Sequence, residues 1–359
     1  MTTGPAPQRV LVVCTRRIGD VLLVTPLIRS LRRAWPRAMI DVMVFRGTEG
    51  VLAGNPDISG VLTVGERDRF GDRLRTFRQT WRRYDLALSA QTSDRTTLYA
   101  WAAGRRAVGL LDPDKAPAWK RALLSSWAPF DNLQVHTVVA GLALCDLLGV
   151  DKHHEVVAGW RPEDAASADA LVPPGTAYAV LHVTPKFAYK GWTREGWQAL
   201  ATWLLSEGLR PVICAGGEES ERRYVAEVCT AVPGTLNAAG KLSLGALGSL
   251  IARSRFYVGT DTAVTHLAAA TGVPTLALFG PSNPVKWGPW PAACTAEPSP
   301  WTMVGTQHSG NVTLLQGEAE CVPCLLEGCD RHVDSLSRCL QELRPERVIR
   351  EAQALLGGA

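Results

Sequence analysis

No run of apolar residues in this 359-residue chain reaches the ~18 that a membrane-spanning helix needs. The N-terminal stretch MTTGPAPQRVLVVCTRR holds a five-residue apolar strand where a secretory leader requires a longer run, so a cytoplasmic protein is expected. No repeat recurs at a fixed short period, and neither GxGxxG nor GxxxxGK(S/T) occurs. Nucleotide-dependent hydride transfer and P-loop hydrolysis therefore lose their usual signals. A paired cysteine count is missing too. The nine cysteines are an odd number, and Cys14, Cys145, Cys214 and Cys229 are scattered through apolar segments, as reduced thiols rather than a disulfide framework.

What is present is ordinary in proportion and uneven in distribution. With 46% hydrophobic and 20% charged residues, a disordered chain, a coiled coil and a collagen-like polymer are excluded. The length suits two domains, each large enough to bury its own core. Residues 1–150 carry 21 Lys and Arg against 13 Asp and Glu, whereas residues 151–359 carry 17 against 21. A basic first half points to an anionic partner, such as a phosphorylated sugar, a lipid headgroup or nucleic acid, or else to solvated arginine faces. Specific nucleic-acid binding has only that excess behind it and is not expected.

Hydrophobic periodicity then divides the chain. Strands are predicted at 10–15 (VLVVCT), 39–45 (MIDVMVF), 61–64 and 86–90, with helices at 20–35, 68–83 and 93–103 between them. Residues 151–176 are polar and bear Pro and Gly, as a linker does. A second alternation follows, with strands at 178–183, 211–215, 256–259 and 275–279 and helices at 194–207, 219–231, 243–253, 262–271 and 339–356. The β-α-β order predicts α/β class: two doubly wound, Rossmann-like domains, divided as 1–160 and 161–359.

Open parallel sheets take ligands where strand C-termini meet helix N-termini. Two loops meet that rule: Thr15 to Asp20 after the first strand, and Gly259-Thr260-Asp261-Thr262-Ala263 before a helix. By spacing alone Asp20 reads first as a helix cap, with a general base as the functional alternative, and Asp261 as a cap or a ligand group. Arg16 and Arg17 are candidate phosphate contacts. His266, one turn beyond Thr262, is a structural histidine or a catalytic one. Gly280-Pro281-Ser282 brings a third loop to the same sheet edge.

Three stretches, RIGDVLLVTPLIRSLRRAWP, LHVTPKFAYKGWTREGWQAL and GTDTAVTHLAAATGVPTLALFGPSNPVKWGPW, resemble the signature regions of bacterial lipopolysaccharide heptosyltransferases, glycosyltransferase family 9. The likeness runs from about Val10 to Arg350, and the KGWTREGW and WGPW forms are most similar to the heptosyltransferase III branch. It implies a GT-B architecture, with two Rossmann-like domains facing across a cleft. The first would bind the acceptor and the second the nucleotide-sugar donor. The implied reaction is an inverting transfer of heptose from ADP-heptose to the inner core of lipopolysaccharide on lipid A, at the cytoplasmic face of the inner membrane. No cofactor or metal would be required. A GT-B glycosyltransferase or sugar epimerase using another nucleotide sugar is the alternative, and a non-catalytic sugar- or lipid-binding module a second.

Residue by residue, the resemblance makes Asp20 the catalytic base and Lys190 the cation opposite the leaving diphosphate. Thr184 would line the phosphate pocket, and Glu219 or Glu221 would hold the ribose. Asp261 would contact heptose hydroxyls, while Thr262, Ala263 and His266 line the diphosphate. Arg16 and Arg17 would lie on the acceptor side. Ala263 stands where many relatives have Gly. The segment 185–189 is longer than in the best-known members, which brings Lys186 in as a partner for Lys190.

Two features stay outside that pattern. Cys321, Cys324, Cys329 and Cys339 open with CxxC, as a zinc site does, but the second pair has nine residues between its members rather than two, which favours a reduced structural cluster. Trp287, Trp290 and Trp301 are candidates for stacking on sugar or lying at a membrane surface, with core packing the alternative.

Overall fold

The computed structural model describes residues 6–357. Its contacts divide the chain into two units. The first comprises Met1–Gly159 with Thr295–Pro298, and the second Trp160–Cys294 with Ser299–Ala359.

In the first unit the strands are β1 (Arg9–Cys14), β2 (Met39–Phe45), β3 (Gly60–Val64), β4 (Tyr84–Ser89), β5 (Gly104–Leu111) and β6 (Ser126–Pro129). Helices α1 (Ile18–Leu23), α2 (Thr25–Ala34), α3 (Phe70–Thr80), α4 (Asp94–Ala103), α5 (Ala118–Leu123) and α6 (Thr137–Leu148) lie between or after them. The sheet is wholly parallel in the order β3-β2-β1-β4-β5-β6. Every residue of β1 after Arg9 is buried, as a strand covered on both faces must be. The order reverses between β1 and β4, which makes the end of β1 a switch point where such sheets take ligands.

The helix expected over 20–35 is two helices. Pro26 has no N–H for the Leu22 carbonyl, and the Thr25 hydroxyl takes that carbonyl instead at 2.7 Å. The chain therefore breaks at Val24. The expected linker also departs from the prediction. Its first part runs along α2, where His153 N–H donates to Ser30 Oγ at 2.9 Å and Val157 N–H to Thr25 Oγ1 at 2.9 Å. Residues 162–171 then form α7 (Pro162–Leu171), with Pro162 in its first turn. Only Ala168 of α7 is buried, so its composition read as loop.

The remainder of the second unit is built from β7 (Tyr178–His182), α8 (Arg194–Ser206), β8 (Arg210–Cys214), α9 (Glu219–Ala231), β9 (Leu236–Asn237) and α10 (Leu244–Ala252). There follow β10 (Phe256–Thr260), α11 (Ala263–Thr271), β11 (Thr275–Phe279), α12 (Pro284–Trp287), β12 (Gln307–Ser309), β13 (Val312–Gln316), α13 (Arg338–Gln341) and α14 (Pro345–Gly357). The expected helix 339–356 is thus split ahead of Pro345. The strand order is β12-β13-β11-β10-β7-β8-β9, parallel except for β12 against β13.

Alternation along β7 serves both faces of this sheet. Ala179 and Leu181 pack with Trp197, Leu200 and Leu204 of α8 and Val348 and Ala352 of α14. Tyr178 and Val180 pack with Ala168 of α7 and Leu250 of α10. Both units are therefore the doubly wound α/β sheets that the sequence predicts. In the second, the order reverses between β7 and β10, so the loops after those strands border its switch point.

Candidate active site

At the switch point of the second unit, an ion pair joins residues 71 apart in sequence: Lys190 Nζ lies 2.5 Å from Asp261 Oδ2. Lys190 ends a 3-10 turn (Ala188–Lys190) after β7, and Asp261 follows β10 directly. Burial alone would raise the Asp261 carboxyl. The Lys190 ammonium and a hydrogen bond from Ser282 outweigh it and hold the group below its ordinary value, so it is an anion. Ser282 sits in the loop after β11, so three strand ends meet at one carboxylate. The Lys186 side chain is exposed, and the cation paired at the site is Lys190.

Asp261 is not the cap of α11; that position is Thr262. The Thr262 hydroxyl makes no cap hydrogen bond and lies 3.3 Å from Thr265 Oγ1 instead. The first-turn N–H groups at Ala263 and Val264 are therefore left uncapped by it, at the positive end of the helix dipole. His266 is buried one turn on. Burial, only partly offset by the pull of Asp261 and aided by the Lys190 charge, lowers its imidazole to about 4. It is neutral near pH 7, keeps one N–H donor, and its buried Nδ1 has no partner.

A cavity of about 530 Å³ opens beside the ends of β7 and β8, bordered by Thr184, Trp192, Ser220, Glu221, Tyr224 and Gln341, among others. Thr184 Oγ1 donates to Glu221 Oε1 at 3.1 Å, and Glu221 Oε2 accepts the Glu218 N–H at 3.2 Å in a capping box. A side chain at Gly216 would strike that carboxylate, since its Cβ would stand 2.2 Å from Glu221 Oε2. Glu219 instead is exposed on α9 and pairs with Arg223 at 3.0 Å. Of the two glutamates, Glu221 is the one at the cavity.

In the first unit, Asp20 lies in the first turn of α1, whose cap is Arg17, so the capping alternative for Asp20 falls. Its carboxylate is close enough to the end of β1 that, after burial, it helps push the Cys14 thiol well above its ordinary value. Arg16 and Arg17 are both exposed at the head of the same helix.

Of the tryptophans, Trp290 and Trp301 are buried, and Trp301 Nε1 donates to the Pro289 carbonyl at 3.2 Å, so both are core residues. All nine cysteines are free thiols. Among the described residues no group of three or more His, Cys, Asp or Glu side chains is arranged to hold a metal ion, and Cys321, Cys324, Cys329 and Cys339 form none. Burial, then the neighbouring thiols, raises Cys339 to about 12 and keeps it protonated.

Sequence reasoning brought Ser282 only to the sheet edge and missed Trp192 and Gln341 at the cavity. For Trp192 a signal existed, its place two residues after Lys190. The indole is T-stacked on Trp197 with ring centroids 5.0 Å apart and donates to the Leu343 carbonyl at 2.8 Å.

Comparison with known proteins bears on the family and the fold. The family model of Glycosyltransferase family 9 (heptosyltransferase) matches residues 73–299. Lipopolysaccharide heptosyltransferase 1 of Pseudomonas aeruginosa is 28% identical, with 97% of this chain and 98% of that protein covered. Lipopolysaccharide heptosyltransferase 3 of Escherichia coli is 26% identical over 76% of this chain and 83% of its own length. Among solved structures, the E. coli heptosyltransferase WaaC with ADP superposes with a TM-score of 0.73 at 19% identity, covering 97% of this chain and 99% of that one. At that identity the likeness speaks for the fold, which is of the GT-B class.

Proposed function

The chain belongs to glycosyltransferase family 9, the heptosyltransferases, and on that premise we propose that it transfers heptose from ADP-heptose to the inner core of lipopolysaccharide with inversion. The observation that carries the reading is the ion pair of half-buried Lys190 with buried Asp261 at the switch point of the second unit, beside the uncapped head of α11 and the neutral His266. The solved WaaC structure with ADP and the names of the relatives support the choice of donor and acceptor. Heptosyltransferases 1 and 3 match at nearly equal identity, so the reading is of the family and not of its III branch.

The second unit binds the donor and the first the acceptor. Lys190 neutralises the charge that gathers on the departing ADP, and the N–H groups at Ala263 and Val264 with the His266 donor take the remaining phosphate oxygens. A lysine paired to a buried carboxylate does this without a metal. Asp261 gives one oxygen to Lys190 and keeps the other for heptose hydroxyls. Thr184 lines the phosphate side of the cavity, and Glu221 accepts from the ribose hydroxyls. Asp20 removes the proton from the acceptor hydroxyl while that oxygen attacks the anomeric carbon. One displacement with no enzyme-bound sugar inverts the centre. Arg16, Arg17 and the basic first unit attract the phosphates and acidic sugars of the inner core. No helix among the described residues is long and apolar enough to cross a membrane, and the acceptor is reached by peripheral association.

The test is ADP release with a lipid A-linked inner-core acceptor. ADP-heptose is expected to support turnover, with ADP formed one for one with heptosylated product, and GDP- and UDP-sugars are not. Turnover with another nucleotide sugar and none with ADP-heptose overturns the assignment.

A further inference from the structure

The cysteine-bearing segment 319–343 grips both loops that carry the cationic site. Gln341 Nε2 donates to the Gly191 carbonyl at 3.0 Å, and Gly191 directly follows Lys190. Trp192 Nε1 donates to the Leu343 carbonyl at 2.8 Å. On the other loop, Leu325 N–H donates to the Pro281 carbonyl at 2.9 Å, and Pro281 directly precedes the Ser282 that donates to Asp261. Leu340 and Cys339 fill the space over Gly280, where a Cβ would stand 2.7 Å from Leu340 Cδ1 and 3.2 Å from Cys339 Sγ.

The Lys190 turn is also held by its side chains, with Tyr189 buried and stacked on Phe187 at 5.5 Å between ring centroids and Lys190 paired with Asp261. It is three residues long, and its own bonds are Lys190 N–H to the Phe187 carbonyl at 3.0 Å and Gly191 N–H to the Ala188 carbonyl at 2.9 Å. Such a turn is not rigid by itself. Its carbonyl end is fixed from outside, by a side chain that also borders the cavity of Thr184 and Glu221.

We infer that segment 319–343 is a positioning clamp for the cationic site, and that Gln341 sets Lys190 through the Gly191 carbonyl. The inference rests on the transfer reading above. Gln341 touches no reacting atom, so it is a positioning residue and Lys190 the catalytic one. The clamp keeps the ammonium aimed while Asp261 holds Lys190 with one oxygen and the sugar with the other.

Three variants of the full chain test this. Gln341→Glu keeps the size of the side chain but sets a carboxylate oxygen against the Gly191 carbonyl, and it is expected to lower kcat about 10-fold, as a displaced catalytic group does. Acceptor KM and thermal midpoint stay near those of the parent. Gln341→Lys restores a donor and recovers most of the loss. Lys190→Ala loses about 100-fold or more, and adding Gln341→Glu to it brings no further loss, because Gln341 acts through Lys190. Losses that multiply in the double variant overturn the clamp, as does equal damage in Gln341→Glu and Gln341→Lys with a lowered midpoint. The stabilisation by ADP, read as a thermal shift, is a readout apart from turnover: it falls in Gln341→Glu if the clamp holds and is unchanged if it does not. An inactive parent chain would refute the transfer reading and leave that ADP test in force.

Discussion

At the scale of the residue, burial decides which groups carry charge. The Lys190 ammonium 2.5 Å away and the Ser282 hydrogen bond hold the buried Asp261 carboxyl below its ordinary value. Removing one partner from such a pair costs about 3–5 kcal/mol, because the other charge is left buried. His266 and His182 face the opposite outcome. Burial lowers both to about 4, so each is neutral in the folded protein at pH 6, whereas in the unfolded chain it titrates near 6.5. Between those values the unfolded state binds more protons, and folding stability must fall as pH drops from about 6.5 towards 4. Each histidine contributes a slope of up to ~1.4 kcal/mol per pH unit. Above about pH 7 neither contributes, since both states are neutral there. Urea midpoints measured from pH 7.5 to 4.5 check this: His182→Gln should lose close to one proton of the slope, and an unchanged slope would contradict the buried neutral imidazole.

At the scale of the element, hydroxyls do the work that composition hid. Thr25 and Ser30 on α2 are buried, and both take N–H groups from residues 153–157. That apposition crosses more than 120 residues, so nothing in the local pattern could announce it, and the segment read as linker. Thr25 also takes the Leu22 carbonyl that Pro26 cannot. Thr25→Val keeps the shape and strands the Val157 N–H, at a cost of about 1–3 kcal/mol. Equilibrium urea unfolding would show it as a lower midpoint with unchanged slope, and a variant as stable as the parent would contradict the pinning. Elements with strong periodicity were legible almost to the residue: the strand at 275–279 and the helix at 219–231 stand as read. Helix ends were less so. Proline broke the helix after Val24 and split the one after residue 339, while α7, exposed on nearly every side, lacked an apolar stripe to be found by.

At the scale of the whole molecule, each unit has a switch point, and the residues chosen from sequence gather there: Asp20 after β1, and Thr184, Lys190 and Asp261 after β7 and β10. The strand-then-loop rule located the loops of Asp20 and Asp261, and the family resemblance supplied Thr184 and Lys190. Pairing within them was not legible, because Lys190 meets Asp261, and Thr184 meets Glu221, only through sheet order. The choice of Glu221 over Glu219 likewise depends on which face of one helical turn meets the cavity. The contacts of segment 319–343 with the two loops are likewise tertiary, joining residues up to 151 apart in sequence.

The account as a whole depends on the carboxylate of the first unit acting as base for a donor held by the second. Turnover of Asp20→Asn, measured beside ADP-heptose binding by calorimetry, tests this most directly. Loss of a general base removes about 10²- to 10⁴-fold of rate, so turnover should fall by at least ~100-fold while donor affinity and thermal midpoint stay as in the parent. Near-parental turnover in that variant would contradict the account.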